Sequence, residues 1–341
     1  MTFGTFISEI QGAEKMKISL DRVLRNICGN IRRHALEKPG EYARFTEEAT
    51  VNPYGCADAA NLLYELDDFP RDEVLRRGFV AALHSMQDPE TGLFHERTHH
   101  PFHVTAHCIA ALELFDAAPL YEVKALAAYR EKTALEDFLG SLEWGNDPWS
   151  TSHKGAGLYA VYANTGLADA AWKKCYFDWL RKHCDPDTGI GFTGAMRKNL
   201  VPEAEHLFGW FHYLFCFIHA HKAIPYPERL IDSCLRLYDE RQLGANFLHE
   251  ASFRQVDWVF ALNRARRETP YRFQDIHDRL LDFAFRFVHN LDKEPEDSLI
   301  FNDLHAVFGM TCALAELELA LPEEVESEIP LRNVLDRRPF I

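Results

Sequence analysis

Apolar residues recur along the chain in runs that have helical spacing and end at residues that terminate helices. The segment that begins at Ala59 (AANLLYELDDFP) is similar to the segment that begins at Cys108 (CIAALELFDAAP), and a proline closes both. Comparable runs recur at intervals of roughly 45 to 60 residues. They close at Pro70, Pro119, Gly166, Pro225, Pro270 and Pro322. The pattern therefore predicts six copies of one helical unit.

A more amphipathic helical segment precedes each apolar run, so the predicted unit is a pair of helices. A helix that is apolar on most sides is buried on most sides, which places the second helix of each pair inside the fold. The first helices are predicted at Leu20–Leu36, Asp72–Met86, Lys124–Leu142, Ala168–His183, Pro227–Asp239 and Gln274–Asn290. The second helices are predicted at Ala57–Leu66, Thr105–Phe115, Ala156–Ala163, Leu207–His219, Val256–Arg264 and Leu304–Leu319.

Two of the connections within the pairs share a sequence signature. One is DPETGLF, which begins at Asp88, and the other is DPDTGIGF, which begins at Asp185. An Asp-Pro pair starts a turn, and the glycine supplies a position with positive φ. We interpret the signature as a structural mark of duplication rather than as a source of chemistry.

Length, composition and charge fit one helical body. A repeat that runs almost from end to end predicts a single domain over residues 1–341, with short extensions at 1–18 and 323–341. The net charge of −15 disfavours nucleic acid and anionic membranes as partners, because both are bound through clustered lysine and arginine. The eight cysteines are scattered, and no secretion signal or 18-residue apolar run is recognisable, so we expect a cytoplasmic protein with reduced thiols.

The six helical pairs, together with DPETGLF and DPDTGIGF before second helices, resemble the (α/α)6 toroids. That group includes the six-hairpin glycosidases, the unsaturated glucuronyl and rhamnogalacturonyl hydrolases, and the N-acylglucosamine and cellobiose 2-epimerases. Terpenoid cyclases and protein prenyltransferase β subunits are also similar. The resemblance covers roughly residues 20 to 322 and implies an all-α barrel of six helical hairpins. It does not select one family, since the DxDD motif of squalene-type cyclases and paired aspartate-rich metal motifs are absent.

In such a ring the long connections open on one face, so the starts of the second helices converge on a pocket. Each start carries at least one ionisable residue. We predict as catalytic residues His107, Glu205, Asp257 and His305. We predict as substrate-binding residues Asp58, His103, Trp149, His153, His206, Trp210, Arg254, Trp258 and Asp303.

The densest polar segment is HERTHHPFHVTAHC, which contains five histidines. His103 and His107 are four residues apart, a spacing that would place both rings on one helix face and would suit a metal. Acid-base, hydrogen-bonding and structural roles are favoured over a metal for these histidines. We expect neither a metal nor an organic cofactor.

Carboxylates that are close to aromatic residues in the sequence form the second group of candidate site residues. Glu203 and Glu205 precede an aromatic run, and Asp257 stands between Arg254 and Trp258. Glycosidic cleavage needs two carboxyl groups whose pKa values differ, and an apolar pocket and an adjacent arginine can create that difference. Helix capping and surface ion pairing are the structural alternatives for these residues.

These residues predict a carbohydrate-active enzyme, with a glycoside hydrolase of the unsaturated-uronyl type as the leading hypothesis. Its substrate would be a small molecule or an oligosaccharide. A sugar 2-epimerase would use two histidines on opposite helices, such as His107 and His305, to move a proton across a ring-opened sugar. An isoprenoid cyclase or transferase and a noncatalytic binding toroid are the remaining alternatives.

Overall fold

The computed structural model describes residues 17–198 and 200–339, and most of these are helical. The predicted extension at 1–18 therefore lies largely outside the described residues. The α-helices, in chain order, are α1 Asp21–His34, α2 Pro53–Glu65, α3 Glu73–Ser85, α4 Pro101–Leu114, α5 Lys132–Ser141, α6 Pro148–Asn164, α7 Ala170–His183, α8 Glu203–His219, α9 Pro227–Asp239, α10 Phe253–Ala265, α11 Phe273–Leu291, α12 Leu304–Ala320 and α13 Val334–Arg337. The prediction of a helical protein is confirmed.

Short 3-10 helices and one strand pair complete the elements of the described residues. The 3-10 helices are Lys124–Arg130, Met196–Lys198 and Leu299–Phe301. The strands β1 (Ile18–Ser19) and β2 (Val325–Glu326) pair in parallel, with Ile18 opposite Val325. This pair joins the two ends of the described chain.

The even-numbered helices from α2 to α12, called here the buried helices, contact one another in succession. Helix α2 packs against α4, α4 against α6, α6 against α8, α8 against α10, α10 against α12, and α12 against α2. The odd-numbered helices from α1 to α11 are amphipathic and cover them. The division into buried and covering helices agrees with the sequence pattern.

Several buried helices begin earlier than predicted, and their capping residues explain why. The side chains of Asn52, His100 and Asp147 accept hydrogen bonds from backbone N–H groups in the first turns of α2, α4 and α6. A proline follows each cap, where its fixed φ suits a helix start. The predicted starts at Ala57, Thr105 and Ala156 are therefore four to eight residues late. Consequently His103 and His153 lie within helices rather than in the loops before them.

The predicted helix Lys124–Leu142 is wrong as one element. It divides into the 3-10 helix Lys124–Arg130 and α5, with extended backbone at Glu131. The carbonyl of Leu126 accepts a hydrogen bond from the Tyr162 hydroxyl, and that of Tyr129 accepts one from the Trp172 indole. Because these carbonyls are bonded to side chains of α6 and α7, the segment is anchored in a conformation other than an α-helix.

The two DPxTG turns have the same hydrogen bonds. In each, the aspartate N–H donates to the carbonyl oxygen of the residue five positions later. The distance is 2.9 Å from Asp88 to Leu93 and 3.0 Å from Asp185 to Ile190. The turn glycines, Gly92 and Gly189, have φ of 76° and 71°. The signature therefore forms matching turns, as its structural interpretation requires.

Glycines bring α4, α6 and α8 unusually close together. A Cβ at Gly157 of α6 would lie 2.9 Å from the Phe102 backbone of α4, and one at Gly209 of α8 would lie 2.6 Å from the Pro148 carbonyl oxygen of α6. Real Cβ atoms essentially never approach a neighbour that closely. Side chains near the first turns of these three helices can therefore meet.

The C-terminal segment 331–339 covers the far ends of the buried helices. The Val334 N–H donates to Glu65 at the end of α2, and Arg338 donates to Asn61 of α2 and to the Ala110 carbonyl of α4. Helix α13 also contacts α8. The predicted extension at 323–341 is thus packed, over its described part, against the end opposite the histidines.

In the part of the chain that the structure describes, no helix has both the length and the apolar character that a membrane crossing requires.

Candidate functional site

A buried aspartate joins two of the predicted catalytic histidines. Asp58 Oδ1 accepts from His107 Nε2 at 2.8 Å and from His305 Nδ1 at 3.1 Å. The side chains of Asp58 and His107 are fully buried, whereas that of His305 is 5% exposed. Only His305 of these three borders open space. The structure thus brings residues of α2, α4 and α12 together.

The charge states of this cluster follow from burial and hydrogen bonding. Burial raises the pKa of Asp58, but attraction to His305 and His107 and their hydrogen bonds outweigh it, so the pKa lies below its usual range. Burial lowers the pKa of His305 to about 4, against the opposing effect of Asp58. At neutral pH His305 is therefore a neutral ring that donates its Nδ1–H to Asp58. Its Nε2 is left as a proton acceptor.

An open cleft of about 500 Å³ lies above His305. Its polar lining comes from four buried helices and the connections before them: Trp149, Glu205, Glu250, Arg254, Asp303 and His305. Arg254 lies 3.7 Å from Glu205 and 3.5 Å from Glu250. Four sequence-predicted residues besides His305 therefore meet in this cleft, namely Trp149, Glu205, Arg254 and Asp303.

Three further imidazoles meet beside the cleft. His103 of α4, His153 of α6 and His212 of α8, called here the histidine trio, are buried and have ligand atoms within 4.8 Å of one another. Burial, followed by repulsion among neighbouring rings, lowers the pKa values of His103 and His153 well below their usual range. Burial lowers that of His212 to about 3. The three rings are neutral near pH 7.

Tyr54 of α2 connects the trio to the Asp58 cluster. Its ring lies 5.1 Å from that of His107 and 4.3 Å from that of His305, measured between centroids. Its hydroxyl is hydrogen-bonded to His103 Nδ1. Sequence analysis did not identify Tyr54 or His212 as site residues.

Asp303 holds the cleft edge in place. It accepts two hydrogen bonds from Arg44, at 2.9 and 2.8 Å, and caps α12 by accepting from the His305 N–H at 3.0 Å. Arg44 also lies 3.4 Å from Glu96. Burial raises the pKa of Glu96, but hydrogen bonds from His99 and Thr98 and the charge of Arg44 lower it to about 2. These contacts fix the start of α12, and with it His305.

Asp257 lies under the cleft surface. Its side chain is fully buried, and neither carboxyl oxygen has a hydrogen-bond partner among residues 17–198 and 200–339. Burial, and then repulsion from Glu205, raise the pKa of Asp257 well above its usual range, while Arg254 opposes them. The Asp257 carboxyl therefore keeps its proton to a higher pH than an exposed aspartate does. Its catalytic role stays a prediction.

The stability of the Asp257→Asn variant relative to wild type is expected to increase as pH rises. The folded-state pKa is raised, so the folded chain keeps a proton that the unfolded chain loses above a pKa of about 3.9. Wild-type stability therefore falls between that pH and the folded-state pKa, by up to about 1.4 kcal/mol per pH unit, and the variant lacks this loss. Urea unfolding of both proteins at pH 5 and pH 7 measures the difference.

The exposed Asp68 at the opposite end provides the control for this experiment. Asp68→Asn removes an exposed carboxyl and measures the pH dependence that such a loss gives by itself. A stability difference for Asp257→Asn that depends on pH no more than this control does would show that burial does not raise the pKa of the Asp257 carboxyl.

Three predicted substrate-binding residues lie away from the cleft. The Trp258 indole donates to the Cys234 carbonyl at 3.0 Å, and its ring stacks on Tyr238 of α9. Trp210 is fully buried and packs against Phe192. His206 is 1% exposed, and burial lowers its pKa to about 4. These side chains turn toward neighbouring helices, because the faces of α8 and α10 that carry them pack within the protein.

A second cavity, of about 520 Å³, lies between α9 and α11. Four of its charged groups are already paired, with Arg279 2.5 Å from Asp239 and Arg286 2.9 Å from Asp282. It contains none of the clustered histidines, so the cleft above His305 is the better candidate site.

Comparisons of the chain with protein-family models, with curated proteins and with solved structures give no match.

Proposed function

We propose that the chain is an (α/α)6 toroid and a carbohydrate-active hydrolase that works by side-chain acid-base chemistry. The observation that carries the proposal is the pairing of His305 with Asp58 at the floor of a polar cleft. A neutral histidine whose other nitrogen is held by a buried carboxylate is a suitable general base. The succession of contacts that returns from α12 to α2 supports the toroid.

The cleft suits a polyhydroxylated substrate. Its volume of about 500 Å³ is within the usual range for small-molecule sites. Trp149 offers an aromatic face for a sugar ring, and Glu205 and Glu250 offer acceptors for hydroxyl groups. Arg254 is placed to pair with the carboxylate of a uronyl group. The lining has the charged residues Glu205, Glu250, Arg254 and Asp303 beside only two aromatic faces, Trp149 and Phe253. An isoprenoid cyclase would need a cavity walled mainly by aromatic faces that stabilise a carbocation.

In the proposed reaction His305 Nε2 accepts a proton from water, and the resulting imidazolium is stabilised by Asp58. The water oxygen bonds to the anomeric carbon as the glycosidic C–O bond breaks. Glu205 lies in the cleft and, as a protonated carboxyl group, donates its proton to the departing oxygen. His107 is buried and donates to the same oxygen as His305, with 5.6 Å between the ring centroids. The two histidines are therefore neighbours rather than opposite walls of the cleft, which favours hydrolysis over two-histidine epimerisation.

Proton NMR in D₂O with a panel of sugars tests the function. The panel contains unsaturated uronyl disaccharides, neutral disaccharides including cellobiose, and N-acylglucosamine. We expect new reducing-end signals from a uronyl disaccharide, because hydrolysis releases an anomeric centre. Loss of the C2 proton signal without cleavage would indicate an epimerase. Consumption of a prenyl diphosphate with magnesium, or sugar binding without turnover, would also contradict the hydrolase.

A further inference from the structure

The histidine trio has the composition and placement of a metal site. We propose that His103, His153 and His212 bind one divalent transition-metal ion, with zinc as the best match. Three imidazoles with an open fourth position are an established ligand set for zinc. The proposal is independent of the proposed function, and it replaces the expectation of a metal-free protein.

The hydrogen bonds of Ser152 set the tautomer of His212. The Ser152 hydroxyl has one hydrogen, which it donates to the Trp149 carbonyl. Its oxygen also lies 2.8 Å from His212 Nδ1, so this contact requires His212 to donate Nδ1–H. The neutral ring then has an unprotonated Nε2. A metal ligand needs that form.

Tyr54 provides the corresponding partner for His103. Its hydroxyl is hydrogen-bonded to His103 Nδ1. Metal binding requires the tautomer in which His103 donates Nδ1–H to the hydroxyl oxygen and has an unprotonated Nε2. Metal-ligating histidines almost always bond through their second nitrogen to such an outer partner, which fixes the ring orientation. Two of the three proposed ligands therefore have outer partners in place.

His153 is the member of the trio whose ring has no hydrogen-bond partner among the described residues. No hydrogen bond within the described residues reaches its ring, although only 4% of the residue is exposed. Its ring centroid lies 4.3 Å from that of His103 and 5.1 Å from that of His212. The ring nitrogens of His153 are not among the fully buried atoms that lack a partner, so a small ligand can reach them. A metal bound at the centre of the trio would bond to this ring, which no group of the described residues does.

The required movement is small. A tetrahedral zinc ion with Zn–N bonds of 2.0 to 2.1 Å separates its nitrogen ligands by about 3.4 Å. The ligand atoms of the trio are within 4.8 Å of one another. Each distance between two ligand atoms therefore has to shorten by at most about 1.4 Å, and rotation of the rings can provide this change.

The neighbouring group of Asp58, His107 and His305 is a weaker candidate, although its ligand atoms are equally close. Both histidines already donate to Asp58 Oδ1, at 2.8 and 3.1 Å. A metal would have to break these hydrogen bonds. The trio has no carboxylate that already binds its rings in this way.

Metal titration of the full-length chain tests the proposal. Protein purified without a histidine tag is dialysed against a chelator and titrated with Zn²⁺, and bound metal is measured by elemental analysis. We expect one equivalent to bind and to raise the thermal unfolding midpoint. Co²⁺ should bind in its place and give the visible absorption of a four-coordinate site. Absence of stoichiometric binding by both ions would overturn the proposal.

Matched variants assign the ligands. Loss of an outer partner typically lowers metal affinity by about 10- to 100-fold. Tyr54→Phe should therefore weaken zinc binding by that factor, and His153→Gln, which removes a ligand, should weaken it more. The control is His219→Gln, which alters a histidine of α8 whose Nδ1 contacts the Tyr159 hydroxyl at 3.0 Å, outside the trio. It should bind zinc as wild type does, and circular dichroism verifies folding. Equal losses in His153→Gln and His219→Gln would overturn the assignment, and unchanged cobalt absorption in His153→Gln would do the same.

Discussion

Glu316→Leu is expected to lower the free energy of unfolding by about 3–5 kcal/mol, because it leaves a buried arginine without its main counter-charge. Glu316 of α12 is 1% exposed and accepts hydrogen bonds from Asn263 Nδ2 at 2.6 Å and from Arg264 Nε at 3.1 Å. Burial lowers the pKa of Arg264, but Glu316 and Asp336 outweigh it and raise the pKa. Urea unfolding measures the loss.

Two controls distinguish the cost of leaving the Arg264 charge buried and unpaired from the cost of losing a side-chain contact. Adding Arg264→Met to Glu316→Leu should recover most of the stability, since an apolar pair is often as stable as a buried ion pair. Asp178→Asn removes an exposed ion pair with Lys174 and should change stability by less than about 1 kcal/mol. If Glu316→Leu costs no more than Asp178→Asn, Arg264 must find another partner or reach solvent.

The buried helices illustrate how much of the fold was predictable. Their ends were placed within a few residues, because proline or glycine follows each apolar run. Their starts are predicted late, because polar residues such as His103 and His153 precede the apolar runs. The correct signal was present, since Asn52-Pro53, His100-Pro101 and Asp147-Pro148 each pair a capping residue with a proline.

The histidine trio was only partly predictable, although the repeat contained the missing member. His103 and His153 are 50 residues apart, and His153 and His212 are 59 apart (153−103 and 212−153). Both separations match the repeat period, so aligning the repeats would have placed the three at similar positions. His212 was missed because it stands in an aromatic run, where a single polar residue indicates a packed core.

Other features depend on contacts that no local pattern encodes. The covering of the far helix ends by segment 331–339 depends on the pairing of Arg338 with Asn61, which are 277 residues apart. The sharing of one oxygen of Asp58 by His107 and His305 depends on how α2, α4 and α12 meet. Sequence periodicity predicted which helices are buried, but not which side chains meet between them.

The base assignment is tested by comparing His305 with His107. Both donate to Asp58, but only His305 lines the cleft. His305→Gln should therefore lower kcat by about 10²- to 10⁴-fold. His107→Gln should retain kcat within about 10-fold, because its ring is fully buried and does not line the cleft. Equal losses in the two variants would favour the two-histidine chemistry of an epimerase.

Asp58→Asn is expected to lower kcat by about 10²- to 10⁴-fold and to leave KM nearly unchanged. Asparagine retains an acceptor oxygen, so the His305 ring can stay oriented, but it carries no charge to stabilise the imidazolium that forms when His305 accepts a proton. Because Asp58 is fully buried and does not touch the cleft, substrate binding should be preserved. Steady-state kinetics on the substrate found by the sugar panel, with circular dichroism of each variant, provide the measurement. A rise in KM with unchanged kcat would place Asp58 in substrate binding and remove His305 as the base.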